Sequence, residues 1–362
     1  MSGWQNGEGR GPFPPERWHI PICPKFLPPL PQQGEWGFPE RANHARLKLC
    51  PNGFPPLGHR DATVSKGSEA PGYIGPYRLL NVVNTSQTRQ IWQAIHDATG
   101  QFVGLKVLLE PYRKNREQIR FLRWEYKVGH RLNHPRIIRI LEYGVHRGIP
   151  YLAMEWFSAP NMKTRIRQGV EKIAHLIPKI ILQATEAVAY FHQQGWIHRD
   201  IKPDNFLVND QGDVKLIDFA LAQRRPGILG RFFAPRTRQI QGTRSYMSPE
   251  QIRGEVVDER ADLYSLACTV FELVGGRPPF TGSTPQELLN KHLKAAPPPL
   301  EAVEKNVTPE FSQLIRRAMA KRPKDRPRTV QDFLDELRMI KIFRQMPRPP
   351  EVSTGKAIPG PS

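Results

Sequence analysis

His198-Arg-Asp-Ile-Lys-Pro-Asp-Asn205 sets three functional groups at fixed spacing: Asp200, Lys202 two residues on and Asn205 five residues on. The stretch follows a strong helical pattern and reads as a loop. A carboxylate held there can accept a hydroxyl proton and align the oxygen for attack. The Lys can neutralise a transferring phosphoryl group, and the Asn can ligate a metal ion. Downstream, Leu216-Ile-Asp-Phe219 ends an apolar strand on Asp218, a natural position for a Mg²⁺ ligand. Upstream, Val103-Gly-Leu-Lys-Val107 sets Lys106 inside an apolar strand. A Lys is rarely fully buried without a partner, and Glu125 on the following helix is the candidate. Taken singly, each feature has a plain reading: an Asp near a Lys is usually a surface pair, and an Asp after a strand is usually a turn.

The surrounding pattern is that of two unequal halves. Tyr77–Val83, Gln90–His96 and Phe102–Leu108 read as short strands, the last two joined by the turn Asp97-Ala-Thr-Gly100. Arg116 to Leu132 has helical spacing, and Ile137–Leu141 and Tyr151–Trp156 read as two more strands. Ile173–Gln194 follows as the next strong helix. Phe206–Val208 and Val214–Ile217 form a hairpin around Asp210-Gln-Gly-Asp213. The rest is helical and loop-rich, ending in a helix over Thr329–Phe343. The fold class expected is α+β: a five-stranded lobe with one helix over 76–156, and a larger, mainly helical lobe over 157–344. Residues 1–75 and 345–362 are Pro-rich and read as disordered tails.

Together and in this order, these motifs resemble the protein kinase signature set, over about Tyr77 to Arg344. Asp200-Ile-Lys202 indicates the Ser/Thr branch, because tyrosine kinases usually carry Ala or Arg at the position of Lys202. His134-Pro, Gly242-Thr-Arg-Ser-Tyr-Met-Ser-Pro-Glu250 and Gly276-Arg-Pro-Pro-Phe280 are similar to the bacterial Pkn-type kinases. The resemblance implies ATP and Mg²⁺ as cofactors and the Ser/Thr hydroxyls of proteins as acceptors. It makes Asp200 the catalytic base with Lys202 beside it. Lys106, paired with Glu125, would hold the ATP phosphates, and Asn205 and Asp218 the metal. Ile91, Gly104 and Leu207 would enclose adenine, with Met154 as gatekeeper and the backbone of Glu155 to Phe157 at its edge. Thr243 would link the substrate platform to the catalytic loop, Glu250 would pair with Arg326, and Asp262 would anchor the loop from a buried helix. Arg199 would receive a phosphate carried by Thr237 in the activation segment.

Three positions depart from that set. The family's glycine-rich loop falls on Asn84-Thr-Ser-Gln-Thr-Arg89, with Asn84, Ser86 and Arg89 in place of the three glycines. Glycines let a backbone approach phosphates closely. Each phosphate hydrogen bond lost costs ~1.5–3 kcal/mol, about 10- to 100-fold in affinity. Ala220 follows Asp218-Phe219 where Gly is usual, and Gly104 stands where Ala is usual, which trims an adenine contact. The phosphate-transfer residues are all present, so an active Ser/Thr kinase is the reading taken. The alternative is a pseudokinase scaffold acting through conformation and its Pro-rich tails.

The bulk properties narrow the partners. The net charge is +19, yet residues 1–75 hold 8 Lys/Arg against 6 Asp/Glu, so nearly all of the excess lies beyond them. No recognised nucleic-acid motif accompanies it, so nucleic acid is not expected as a partner and an Arg-rich solvated surface is. Lys163, Arg165 and Arg167, with the arginines of the activation segment, point to neutral or acidic target peptides. Three cysteines fit a reducing compartment, and the absence of a long apolar run or a secretory signal gives a cytoplasmic expectation without a membrane span. Cys23-Pro-Lys-Phe-Leu-Pro-Pro-Leu30 is echoed by Cys50-Pro-Asn-Gly-Phe-Pro-Pro-Leu57. One Cys per copy is too few for a structural zinc site. The echo reads instead as a duplicated Pro-rich peptide for a binding partner.

Overall fold

The computed structural model describes residues 72–225 and 244–349. The small lobe opens with β1 (Tyr73–Ile74), β2 (Tyr77–Thr85), β3 (Arg89–His96) and β4 (Phe102–Leu108). Gly100, at φ 69, closes the β3–β4 turn in a conformation that suits a residue without Cβ. Helix α1 (Arg116–Gly129) starts where the Asn115 side chain accepts the amides of Glu117 and Gln118. β5 (Ile140–His146) and β6 (Ile149–Glu155) complete an antiparallel sheet of six strands in the order β1-β2-β3-β4-β6-β5.

The sequence pattern predicts five strands, and the structure has a sixth. That strand, β1, falls inside the 1–75 segment read as a tail and buries Ile74 against Tyr77's strand. Two residues are too few for an alternating pattern to register. The strand expected over Ile137–Leu141 begins only at Ile140. Ile137 and Ile138 are buried, but they join the large lobe: the Ile138 amide donates to the Leu216 carbonyl at 3.0 Å.

The large lobe is mainly helical. After α2 (Met162–Arg167), α3 spans Ile177–Gln193 and not the full Ile173–Gln194. Pro178 has no N–H to give and fits only the first helical turn, so a short 3₁₀ turn, Ala174–Leu176, precedes it. β7 (Trp196–Ile197) pairs with β10 (Gln223–Arg224), and β8 (Phe206–Val208) forms a hairpin with β9 (Val214–Leu216). In that hairpin Asn209 Oδ1 accepts the amides of Gln211 and Asp213 at 3.0 and 2.7 Å.

Beyond α4 (Pro249–Ile252) comes the lobe's central helix, α5 (Glu259–Gly275). Every residue from Ala261 to Val274 is buried, the mark of a helix surrounded by others. Gly276 ends it in the left-handed region at φ 70. α6 (Pro285–Lys294), α7 (Pro309–Ala318) and α8 (Val330–Met339) pack around this core. Thr329 caps α8, and the helix stops short of Phe343, which bridges to Val307. Gln345, read as tail, is tied to Asn306 by hydrogen bonds of 2.7 and 3.0 Å. No helix among the described residues is long and apolar enough to cross a membrane.

Candidate active site

The cleft between the lobes is built from strand ends and one loop. Lys106 lies on β4, 5% exposed, and its Nζ donates to Glu125 Oε1 and Oε2 at 2.6 and 2.7 Å. Glu125 comes from α1 and is 1% exposed. Burial pushes its carboxyl above the ordinary value, and Lys106 opposes that shift. Lys106 Nζ also lies 3.6 Å from Asp218 Oδ1. For Asp218, burial alone would raise the pKa, but Lys106 and then Arg89 hold it below the usual carboxylate range.

Asp218 and Arg199 are two of the three described non-glycine residues with positive φ, at 66 and 68. Each such residue costs about 1–3 kcal/mol and persists only where its surroundings fix it. Around Asp218 the fixing element is Phe219, fully buried and stacked on Phe191 with ring centroids 5.5 Å apart. Gly129, at the end of α1, makes room for it: a Cβ there would meet Phe219 Cδ2 at 2.9 Å. Around Arg199, Asp262 of α5 accepts the amides of His198 and Arg199 at 2.7 and 2.8 Å and faces His192 Nε2 at 2.8 Å. Gln251 Nε2 donates to the Arg199 carbonyl at 3.0 Å. Ala220 is not among the positive-φ residues, so the missing glycine there leaves no backbone strain.

The loop between these anchors presents Asp200. Lys202 Nζ donates to Asp200 Oδ2 at 2.8 Å, and Asn205 Nδ2 donates to the Asp200 carbonyl at 2.7 Å and to Oδ2 at 3.2 Å. With its nitrogen engaged, Asn205 offers its amide oxygen to a cation. Asp218 Oδ1 is a buried acceptor without a hydrogen-bond partner. Two hard oxygen donors suit Mg²⁺, which takes its remaining ligands from water and phosphate. Among the described residues no group of three or more His, Cys, Asp or Glu gathers to hold a metal alone.

The side of the cleft where the sequence places adenine is formed by the sheet. Ile91 lies opposite Lys106, and Gly104 opposite Met154. A Cβ on Gly104 would stand 3.1 Å from Met154 Cγ, so this glycine makes space for the methionine beside it. Glu155 Oε1 is taken by the Arg139 amide at 2.8 Å and by Lys215 Nζ at 2.6 Å, and Lys215 lies 5.7 Å from the Phe157 ring centre. Leu207 is half-buried on β8. In the large lobe Arg326 donates to Glu250 at 2.7 and 2.9 Å in a buried two-point pair. Thr237 and Thr243 lie outside the described residues.

Some features go unread in the sequence. Gly129 is one, although a glycine in the last turn of an amphipathic helix signals close approach by a neighbour. Trp124 is another: its Nε1 donates to the Ala222 carbonyl at 2.8 Å and ties α1 to the segment after Asp218. The substrate-charge reading loses two of its cations. Lys163 is paired with buried Glu272, and Arg165 donates to Asp210 at 2.6 Å. Only Arg167 of that trio is exposed.

A two-lobed fold with this lysine, loop and carboxylate arrangement defines a kinase. A family model described as protein kinase domain matches residues 84–336, and the chain belongs to that family. Among its curated relatives, serine/threonine-protein kinase PknA of Mycobacterium tuberculosis is 31% identical over 294 residues, 79% of this chain and 66% of the relative. A probable serine/threonine-protein kinase of Clostridium perfringens is 30% identical over 265 residues, 73% of this chain and 38% of the relative. The crystal structure of a mutant Mycobacterium tuberculosis PknI kinase domain superimposes with a TM-score of 0.57 at 25% identity. That match covers 75% of this chain and 98% of that one. The chain thus spans between 38% and 66% of the length of these two curated relatives.

Proposed function

We propose that this chain transfers the γ-phosphoryl group of ATP to Ser or Thr hydroxyls of proteins. The observation that carries the reading is the assembled buried pair Lys106–Glu125, with Asp218 3.6 Å from the same Nζ. Lys106 holds the nucleotide phosphates, and Glu125 keeps its ammonium in place. Asp200, oriented by Lys202 and Asn205, accepts the proton of the attacking hydroxyl. Lys202 neutralises charge on the transferring group. Mg²⁺, held by Asn205 and Asp218, would supply further charge neutralisation on the phosphates. Ile91, Gly104, Leu207 and Met154 enclose adenine, with the Glu155–Phe157 backbone at its edge.

The glycine-free loop supports weakened affinity for the nucleotide. The Ser86 amide donates to the Arg89 carbonyl at 2.9 Å, and the Arg89 amide to Ser86 Oγ at 3.3 Å. These two amides serve the turn itself, so they are withdrawn from phosphate. The test is incorporation of labelled phosphate from millimolar ATP with Mg²⁺, beside an Asp200→Asn control. Wild type should label a protein acceptor and the control should not. Equal, negligible incorporation would leave the scaffold reading.

The same reading extends to regulation and place. Arg199, with Arg116, Arg120, Arg123 and Lys127 of α1, lines a cavity of about 720 Å³. Its Nε is buried without a hydrogen-bond partner among the described residues. This supports Arg199 as the receiver of a phosphate on Thr237, which would bring three strong acceptor oxygens. Thr243 serves as the link to the catalytic loop. Cytoplasmic residence and a partner for the Pro-rich tail belong to the same proposal.

A further inference from the structure

Arg89 replaces a glycine of the nucleotide loop, and its side chain turns into the cleft. Its Nη2 donates to Asp218 Oδ2 at 2.7 Å, with only 29% of the Arg89 side chain and 19% of the Asp218 side chain exposed. The backbone of Arg89 is fixed at the first residue of β3, where it pairs with Leu108 in register and closes the turn with Ser86. The guanidinium is therefore delivered from the β2–β3 hairpin and engages one oxygen of the carboxylate that would ligate the metal.

We propose that Arg89 is a metal gate: it competes with the divalent cation for Asp218 and yields when nucleotide phosphate offers it another anion. The inference rests on reading the cleft as the nucleotide site. Among the described residues Asp218 makes ion pairs with two side chains, Arg89 and Lys106, while His198 and Lys202 act on it from farther off. Lys106 is locked by its two-point contact with Glu125 and by burial, whereas Arg89 has Asp218 alone as an ion-pair partner among the described residues. A dication entering this site has to displace one of the two, and Arg89 is the one held by a single bond. Two like charges crowded on one carboxylate repel strongly in a partly desolvated cleft. The planar guanidinium fork matches a phosphate as well as it matches a carboxylate. A polyphosphate beside Asp218 gives Arg89 a second partner, and the carboxylate becomes available to the metal. Metal and nucleotide then strengthen each other's binding by one common factor, as linkage requires.

The test uses Mn²⁺ as the probe, followed by its electron paramagnetic resonance signal, with the full chain and no nucleotide. Arg89→Gln should bind Mn²⁺ at least about fivefold tighter than wild type, within the roughly 5- to 150-fold range of ordinary site coupling. A gain in affinity cannot come from damage to the fold. Adding Asp218→Asn to Arg89→Gln should remove the gain. A non-hydrolysable ATP analogue should then strengthen Mn²⁺ binding by a larger factor in wild type than in Arg89→Gln. Equal Mn²⁺ affinity in the two proteins, or weaker binding by Arg89→Gln, overturns the gate. Failure of the analogue to bind either protein, measured by calorimetry, overturns the nucleotide reading of the cleft, a result distinct from the metal titration.

Discussion

Gly104 and Met154 are coupled across β4 and β6: a Cβ added to Gly104 would stand 3.1 Å from Met154 Cγ. From sequence alone Gly104 reads as a lost adenine contact. In the fold it is the space that the Met154 side chain requires. Gly104→Ala should therefore cost about 1 kcal/mol, the low end of overpacking in a core. In a Met154→Ala background the same change should be neutral or slightly stabilising, because alanine also restricts the unfolded chain. Chemical denaturation of the two single variants and the double variant measures the coupling, expected at about 0.5–3 kcal/mol for residues in contact. Strict additivity would show that Met154 moves aside freely.

Lys106→Met should abolish phosphoryl transfer, and its stability should carry a pH signature. Removing one side of a buried pair costs roughly 3–5 kcal/mol because the other charge is stranded. Glu125, 1% exposed, is already pushed above its ordinary 4.5 by burial, with Lys106 as the main opposing influence. Without that lysine its folded pKa rises further. The folded state then holds a proton that the unfolded state releases above pH 4.5, so stability falls as pH rises. Thermal unfolding of Lys106→Met between pH 5 and 8 should slope downward more steeply than wild type. Parallel slopes would mean that Arg89 or water has compensated Glu125.

His292 gives wild type its own acid limit. The ring is fully buried, 2.9 Å from the Tyr264 hydroxyl, and burial followed by the charge of Lys321 holds its pKa at about 4 against an ordinary 6.5. It stays neutral in the folded protein, while the unfolded chain takes up a proton below 6.5. Stability from this group is complete above that value and falls as pH drops toward 4. The loss between pH 7 and 5 should be about 2 kcal/mol. His292→Gln, which keeps a polar group near Tyr264, should flatten this part of the curve. An unchanged acid slope would assign the loss to other groups.

Legibility in the sequence follows the physical signal available. Lys106 stands out because a charge inside an apolar strand demands a partner, and Glu125 lies on the next helix. Asp200, Lys202 and Asn205 are visible because one short loop carries all three. The hairpin of β8 and β9 is announced by its turn residues. What stays hidden depends on tertiary neighbours. β1 is two residues long, too short for any period. Ile137 and Ile138 look like strand but pair with the opposite lobe through Leu216. Gly104 gains its meaning from Met154, and Gly129 from Ile140 and Phe219, neighbours that tertiary packing brings in. Arg89 reads as added charge in a loop, and nothing in its neighbours says that it reaches Asp218.

Arg199 has its backbone pinned by Asp262 and Gln251, so its side chain is presented from a fixed point. Burial lowers the pKa of its guanidinium from the ordinary value, as expected where anionic partners are few; only Asp262 raises it. Arg116, Arg120, Arg123 and Lys127 gather with it around one cavity, a concentration of like charge that an incoming phosphate would relieve. Between Phe219 and Gly242 the one hydroxyl-bearing residue is Thr237. Mass spectrometry after incubation with ATP should find phosphate on Thr237. Thr237→Ala and Arg199→Gln should each slow transfer to a second protein, and combining them should add little, since both remove one contact. The effect should weaken at high salt, because Arg116, Arg120, Arg123 and Lys127 are exposed and salt screens them. Full transfer rates with Thr237 unmodified would mean that the segment is ordered without phosphate, and that the α1 cations serve another anion.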